Sequence, residues 1–239
     1  MGLVFTGIII QYGSDKMMNT TEFKVIHNQY DELNQLLSQA IAQLDLNINA
    51  EQQTKLLLYL DKLLFWNKAY NLTAIKQPKE ALIKHIIDCL AILPHLKPGK
   101  LLDIGTGAGL PGVIVAICQP QRDVTVLDSN QKKIRFIRQS ITELDIENVT
   151  PVASRIEHFE LTESEKFDVV TSRAFASLTD FVAAAEPTMA DNGCLQAMKG
   201  LIPDGEDMAG LVAHWQIDNV PLIVPFLNET RHLTELFKK

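Results

Sequence analysis

The stretch Lys100 to Gly112 reads K-L-L-D-I-G-T-G-A-G-L-P-G: a short apolar run, an acidic residue, then glycines at 105, 107, 109 and 112. Leu101, Leu102 and Ile104 suit a buried parallel strand, and the glycines permit backbone conformations closed to other residues. Pro111 stands where a first helical position tolerates a missing N–H, and Val113 to Cys118 is apolar enough to pack the next helix on a sheet. The spacing predicts a strand feeding a glycine-rich turn into a helix, the opening unit of an α/β fold.

Gly107, Gly109 and Gly112 match G-x-G-x-x-G, and Asp128 ends the next apolar run (Val124, Val126, Leu127) at about the spacing of a ribose-binding carboxylate. Two cofactor classes use such a turn, and Asp103 discriminates between them. A dinucleotide would bring its pyrophosphate against this carboxylate, whereas S-adenosylmethionine carries no phosphate and offers a sulfonium and an ammonium group that Asp103 attracts. The pattern D-x-G-x-G-x-G resembles the first motif of the Rossmann-like methyltransferases. A turn used for tight packing alone is the plain structural alternative.

The 239 residues are enough for one α/β domain with an appendage, and a 46% hydrophobic content supports a well-buried core. Cys89, Cys118 and Cys194 are odd in number and widely spaced, so neither a disulfide framework nor a metal site is expected, and a reducing cytoplasm is the simplest setting. The formal net charge of -7 argues against a general polyanion binder, though not against a local basic face. Residues 1–18 differ from the rest: Leu3 to Ile10 is a poor signal peptide and too short to span a bilayer, and the segment is expected to be a start-site or appended extension.

Residues 19–96 read as a helical region. Leu33, Leu36, Leu37, Ala40, Ile41 and Leu44 form one stripe; Asn49 with Gln52 resembles a capping box opening a second helix through Leu56, Leu57, Leu60, Leu63 and Leu64. A third helix starts near Lys79 and is ended by Pro94, with His85 and Asp88 on one face, where Asp88 would orient the imidazole. Between the last two lies F-W-N-K-A-Y-N-L-T, Phe65 to Thr73, with polar groups crowded beside aromatics.

From residue 97 to 239 strands alternate with helices, implying a mostly parallel sheet covered on both faces. Asn130 is the expected cap of a helix with the stripe Ile134, Ile137, Ile141 and Leu144, and with Lys132, Lys133, Arg135 and Arg138 largely off it, as a solvated or a phosphate-binding face. Further strands are expected at Asn148 to Val152, Phe167 to Thr171 and about Cys194 to Met198. Ligands in open α/β sheets sit beyond the carboxyl ends of the strands, which places Ile156 and Glu157 where an adenine is packed and hydrogen-bonded. No internal repeat, transmembrane span, nucleophile elbow, Walker-type loop or metal-ligand cluster is present in the sequence.

These pieces together resemble one family, the bacterial small-subunit ribosomal RNA guanine-N7 methyltransferases once called glucose-inhibited division protein B. The matching segments are Trp66 to Thr73, His85 to Asp88, Leu101 to Gly112, Leu127 to Phe136, Ser154 to Glu157, Ser172 to Ser177 and Arg231 to Leu233. The resemblance implies a class I S-adenosylmethionine-dependent methyltransferase, Rossmann-like, with a seven-stranded sheet and an N-terminal helical part. It implies methyl transfer to N7 of a guanine in the decoding region of 16S rRNA, on the RNA or the small ribosomal subunit, without membrane or metal and with a monomer favoured. Asp103, Gly105, Gly107, Leu110, Asp128, Ile156, Glu157 and Arg173 are the expected cofactor residues. Asn67, Lys68, His85, Lys132, Arg155, Lys199 and Arg231 are the expected RNA contacts. One departure is visible: where the family continues as an apolar final strand, this chain has T-E-L-F-K-K, which puts the pairing of that strand in doubt.

Guanine N7 carries an unprotonated lone pair at neutral pH, so no general base is expected. Catalysis then rests on positioning, for which Arg173 (toward phosphate, O6 or the cofactor carboxylate) and Phe175 (by stacking, or else as core) are the candidates. Two other readings stay open on sequence grounds: a non-catalytic RNA-binding assembly factor, and a nicotinamide-dependent enzyme.

Overall fold

The structure is a computed structural model and describes residues 23–173, 175, 177–202 and 208–239, with the backbone of residues 9–10 and 18–19, which pair as a short antiparallel bridge. Apart from that bridge, the expected extension over residues 1–18 lies outside the described residues.

Three helical segments precede the sheet. Helix α1 (Tyr30–Gln43) buries Leu33, Leu37, Ala40 and Ile41, the stripe its periodicity predicts. Helix α2 (Ala50–Tyr70) opens on the expected capping box: Gln52 N donates to Asn49 Oδ1 at 2.9 Å and Asn49 N to Gln52 Oε1 at 2.9 Å. The third, α3, begins as Pro78–Ala81, loosens into a π-helical segment over Leu82–Ile87 and ends as Asp88–Leu90. It stops before Pro94, which falls in the following 3-10 turn, Leu93–His95.

The sheet has strands β1 (Leu101–Ile104), β2 (Val124–Asp128), β3 (Val149–Ala153), β4 (Phe167–Arg173), β5 (Met189–Lys199), β6 (Trp215–Leu222) and β7 (Arg231–Lys238). Their spatial order is β3-β2-β1-β4-β5-β7-β6. The first five run parallel, while β7 pairs antiparallel with both β5 and β6, so the sheet is mixed. Helices α4 (Gly112–Cys118), α5 (Gln131–Glu143) and α6 (Leu178–Ala185) follow β1, β2 and β4.

β5 begins at Met189, five residues before the expected start at Cys194, because residues 190–193 form an irregularity between the pairs Phe167 with Met189 and Val169 with Cys194. The doubtful last strand is paired on both sides, along its whole length with β6 and from His232 to Phe237 with β5. Its polar residues are buried because partners meet them: Gln196 Nε2 donates to Glu235 Oε1 at 2.7 Å, Lys97 lies 3.2 Å from the same oxygen, and Thr234 Oγ1 donates to Asn219 Oδ1 at 2.7 Å. Leu233 and Leu236 supply the apolar anchors. One hydrophobic cluster runs from Leu33 and Leu56 through Leu101, Val113 and Val126, so the helical region and the sheet share a continuous core across residue 97.

Candidate functional site

The glycine-rich turn sits at the carboxyl end of β1, with Gly105, Gly107 and Gly109 at φ of 65°, 60° and 78°. These are left-handed conformations that favour glycine. A Cβ on Gly105 would meet nothing closer than Phe175 Cε2 at 3.9 Å, and one on Gly107 nothing closer than Lys133 Nζ at 3.8 Å, so the turn faces open space there. Gly109 faces inward instead, against Tyr59 and Val113, and Tyr59 Oη donates to Ala108 O at 2.7 Å. Leu110 is buried beneath the turn. Pro111 is the residue before α4 rather than its first helical position, and its carbonyl accepts from Val115 N at 3.0 Å.

Asp128, at the carboxyl end of β2, is held from both sides. Gly107 N donates to its Oδ2 at 2.9 Å and Asn130 N to its Oδ1 at 2.7 Å, leaving each oxygen a lone pair toward the outside. Lys133 Nζ lies 3.9 Å from Oδ2. Asn130 Oδ1 in turn accepts from Lys132 N and Lys133 N, as expected of a cap. Ile156 is half-buried and Glu157 exposed in a short turn after β3, the next strand over, so the turn, Asp128 and this pair share one edge of the sheet.

Asp103 is fully buried under the turn, where Oδ2 accepts from Thr106 Oγ1 at 2.6 Å and Gly112 N at 2.8 Å. It fastens the turn to the start of α4. Its Oδ1 is buried and has no hydrogen-bond partner, so one acceptor remains for a donor brought by a ligand.

The pairing expected of His85 with Asp88 requires a correction. The imidazole is buried, with Nδ1 donating to Lys84 O at 3.2 Å, which leaves Nε2 to accept from Thr73 Oγ1 at 2.7 Å. Asp88 does not orient it. The π-helical segment changes the spacing of this stretch, and Asp88, 3% exposed, meets two arginines: Arg173 Nη1 at 3.4 Å and Arg231 Nε at 3.1 Å. Arg173 Nη1 also donates to Lys84 O at 3.0 Å, and Arg231 Nη2 to Glu229 Oε2 at 2.9 Å. Asn67, expected on the RNA side, is buried as well, its Oδ1 accepting from Thr73 N at 2.9 Å. The polar side-chain atoms of both residues are taken up within the chain. Lys68, Lys132 and Arg155 are exposed, while Lys199 Nζ donates to Phe175 O at 2.9 Å. The Phe175 ring packs on Phe181 at 5.6 Å, so it is at once a core contact and the side chain that a Cβ on Gly105 would meet first.

The whole constellation lies on one chain segment that matches a single family model: residues 52–234 match rRNA small subunit methyltransferase G. The chain belongs to that family. It is 77% identical to the Ribosomal RNA small subunit methyltransferase G of Psychrobacter sp. (strain PRwf-1), over 93% of this chain and 99% of that protein. It is 59% identical to the protein of the same name from Psychrobacter cryohalolentis, over 93% and 92%, and 52% identical to one from Acinetobacter baumannii, over 83% and 95%. Among solved structures, a SAM dependent methyltransferase from Aquifex aeolicus superposes with a TM-score of 0.50 at 15% identity, covering 66% of this chain and 93% of that one. That likeness concerns the fold, a class I methyltransferase arrangement with a seven-stranded mixed sheet.

Two buried groups that both feel the charge of Arg173 titrate in opposite senses. Burial pushes the Asp103 carboxyl up to about 7, against the lowering by Thr106, Gly112 and Arg173. Burial pushes the His85 imidazole down to about 4, reinforced by the charge of Arg173. Asp103 binds its proton more tightly folded than unfolded, so its contribution to stability falls as pH rises from about 4 to about 7. His85 binds its proton less tightly folded, so its contribution falls as pH drops from about 6.5 to about 4. Between about pH 4.5 and about pH 6.5 the two slopes offset each other. In Asp103→Asn the His85 slope stands alone, and denaturant titrations across that window are expected to show stability rising with pH more steeply than in the wild type.

Proposed function

We propose that this chain transfers the methyl group of S-adenosylmethionine to N7 of a guanine in the decoding region of 16S rRNA, as a cytoplasmic enzyme working on the RNA or the small ribosomal subunit. The observation that carries the reading is the cradle formed by Asp128 and Gly107. A carboxylate fixed by two backbone N–H groups, with a lone pair left on each oxygen, suits the vicinal hydroxyls of a ribose beside a turn open at Gly105 and Gly107. The partnerless Asp103 Oδ1 suits an ammonium donor, and Ile156 with Glu157 suits an adenine on the same edge. The residues therefore fit the cofactor, which when bound supplies an electrophilic methyl on a sulfonium centre. The sheet is then a Rossmann-like platform, with a monomer as the working unit.

What the chain's residues contribute is position. Arg173 cannot act as a base, and its guanidinium is pinned by Lys84 O and Asp88, so it is suited to hold a phosphate, O6 or the cofactor carboxylate at a fixed place. The His85 ring nitrogens are both engaged and the ring is neutral above about pH 4, in keeping with a nucleophile that has no proton to lose. Phe175, backed by Phe181 and anchored through its carbonyl by Lys199, offers a ring against which the guanine stacks. Holding N7 in line with the methyl carbon is worth up to about 7–11 kcal/mol of barrier lowering. Among the described residues no helix is long and apolar enough to cross a membrane, and no group of three potential metal ligands is found.

The test is transfer of labelled methyl from S-adenosylmethionine to small subunits from cells lacking the protein, with the product mapped by cleavage at N7-methylguanine. One modified guanine is expected, lost in Asp128→Ala and in Arg173→Ala. Cofactor binding without any transfer to subunits or free rRNA would refute the substrate, and absence of cofactor binding would refute the reading of the turn.

A further inference from the structure

A cavity of about 370 Å³ lies between the second half of α2 and helix α5, away from the glycine-rich turn. Phe65, Trp66 and Tyr70 line it together with Lys24, Lys62 and Lys68. Trp66 is stacked on Tyr70 with ring centroids 5.0 Å apart, and Lys24 Nζ lies 4.7 Å from the centre of the Phe65 ring. Phe65 and Tyr70 are 43% and 38% exposed, an unusual amount of aromatic surface to leave in water. The acids of the cavity are already occupied. Asp61 accepts from the backbone N–H groups of Lys24, Val25 and Ile26, and Glu143 is taken by Lys62 and Gln139. Lys24 and Lys68 form no ion pair within 4.0 Å among the described residues, although, after the Lys62 and Gln139 hydrogen bonds, the charge of Lys24 helps to hold the Glu143 carboxyl below its usual range.

The place of this cavity matters as much as its lining. Trp66 meets Phe136 edge-on at 5.8 Å and Lys62 meets Glu143, so α2 and α5 run antiparallel and the Tyr70 end of α2 rises with the start of α5. That start is capped by Asn130, next to Asp128 at the ligand edge of the sheet. Phe136 is six residues further along, about 9 Å of helix, and the exposed Lys132 and Arg135 occupy the turns between. Positive charge thus runs from the cofactor edge to an aromatic cavity on the side wall.

We propose that this cavity is a second nucleotide site, which holds an unpaired nucleotide of the rRNA at a distance from the guanine that is methylated, its base against Tyr70 and Phe65 and its phosphate on Lys68 and Lys24. The proposal rests on the rRNA reading given above. Stacked rings flanked by two ammonium groups that are in no close ion pair among the described residues match the π-face and the phosphate of a single-stranded nucleotide, a combination that an apolar or an anionic peptide segment would satisfy in one half each. The volume is of the size small-ligand sites have.

Two measurements test it. The chain has two tryptophans, and Trp215 is 4% exposed in the other core cluster, so it gives a constant background to Trp66 fluorescence. Titration of the full-length protein with an oligo-uridine octamer is expected to quench Trp66, with about tenfold weaker binding in Tyr70→Ala and in Lys68→Gln and no change in Lys55→Gln, a cation removed from the far end of the same helix. In methyl transfer to small subunits the same two variants are expected to raise the KM for the RNA substrate about tenfold while the KM for S-adenosylmethionine stays within about twofold. No quenching of the wild type, quenching by polyglutamate as strong as by RNA, or an unchanged KM in both variants would each overturn the proposal. Quenching that the two variants abolish, in a protein that transfers no methyl group to rRNA, would leave the nucleotide site standing and remove the reaction.

Discussion

Asp88→Ala is expected to destabilise the protein by about 2–4 kcal/mol and to lower methyl transfer by about 100-fold. The carboxylate is 3% exposed and lies between two guanidinium groups, so its removal leaves two cations facing each other in a partly buried space. Breaking a buried pair costs about 3–5 kcal/mol, and the lower figure here reflects side chains of Arg173 and Arg231 that are 23% and 18% exposed and can recover some hydration. The loss of activity has a separate cause. Arg173 would keep Lys84 O and Arg231 would keep Glu229, but neither contact fixes the two heads relative to each other, and a misplacement of about 1 Å is enough for a 100-fold loss. Asp88→Asn retains the volume with at most one good acceptor, so it should sit between the two in stability while still losing activity. Thermal unfolding beside single-turnover transfer separates the effects; a variant as stable and as active as the wild type would show that the arginines need no common anchor.

Gly109→Ala is the second large effect, with an expected loss of about 2–5 kcal/mol. At φ of 78° an alanine pays for the left-handed conformation, and its Cβ would collide with the Tyr59 hydroxyl and lie 2.6 Å from Val113 Cγ2. Relief requires Tyr59 to leave Ala108 O, which unseats the turn, so the affinity for S-adenosylmethionine should fall at least tenfold along with the melting temperature. Gly105→Ala supplies the contrast. Its φ of 65° carries a similar backbone penalty, but the added Cβ enters open space near Phe175, so stability should fall by about 1 kcal/mol while cofactor affinity still drops because the methyl occupies the ligand side. Calorimetric titration of both variants with the cofactor checks the pair. Equal unfolding temperatures would contradict the inward and outward assignment of the two glycines.

The difference between these residues also marks what the sequence makes legible. The turn, the cap at Asn49 and Gln52, and the carboxylate at the end of β2 are local patterns, set by neighbours within a few positions, and they stand in the structure where the spacing puts them. Asp103 was legible as a special acid, but the fastening it gives the turn was not, because the donors it meets, Thr106 and Gly112, are indistinguishable by type from solvent-facing ones. The clamp on Asp88 was not legible at all: its arginines stand 85 and 143 residues away, and the one sequence cue, the basic residues at the end of β4 and at the start of β7, points as readily to RNA. The spacing of His85 and Asp88 assumed a regular helix, and the π-helical segment breaks that assumption. For β7, polar letters obscured a strand whose buried glutamate is matched by Gln196 and Lys97 on neighbouring elements.

Gln52 and Tyr59 together give α2 a role beyond covering the sheet. Gln52 Nε2 donates to Ile117 O and Cys118 O, both at 3.0 Å, at one end of α4, while Tyr59 holds Ala108 just before the other. The two residues are seven apart, about 10.5 Å of helix, which is also the length of the seven-residue α4. The Gln52–Tyr59 stretch of α2 is therefore a splint, fastened at two points to the piece that carries the glycine-rich turn. A tilt of the helical region cannot open the turn like a hinged lid; it must carry turn, α4 and cofactor edge along as one rigid block.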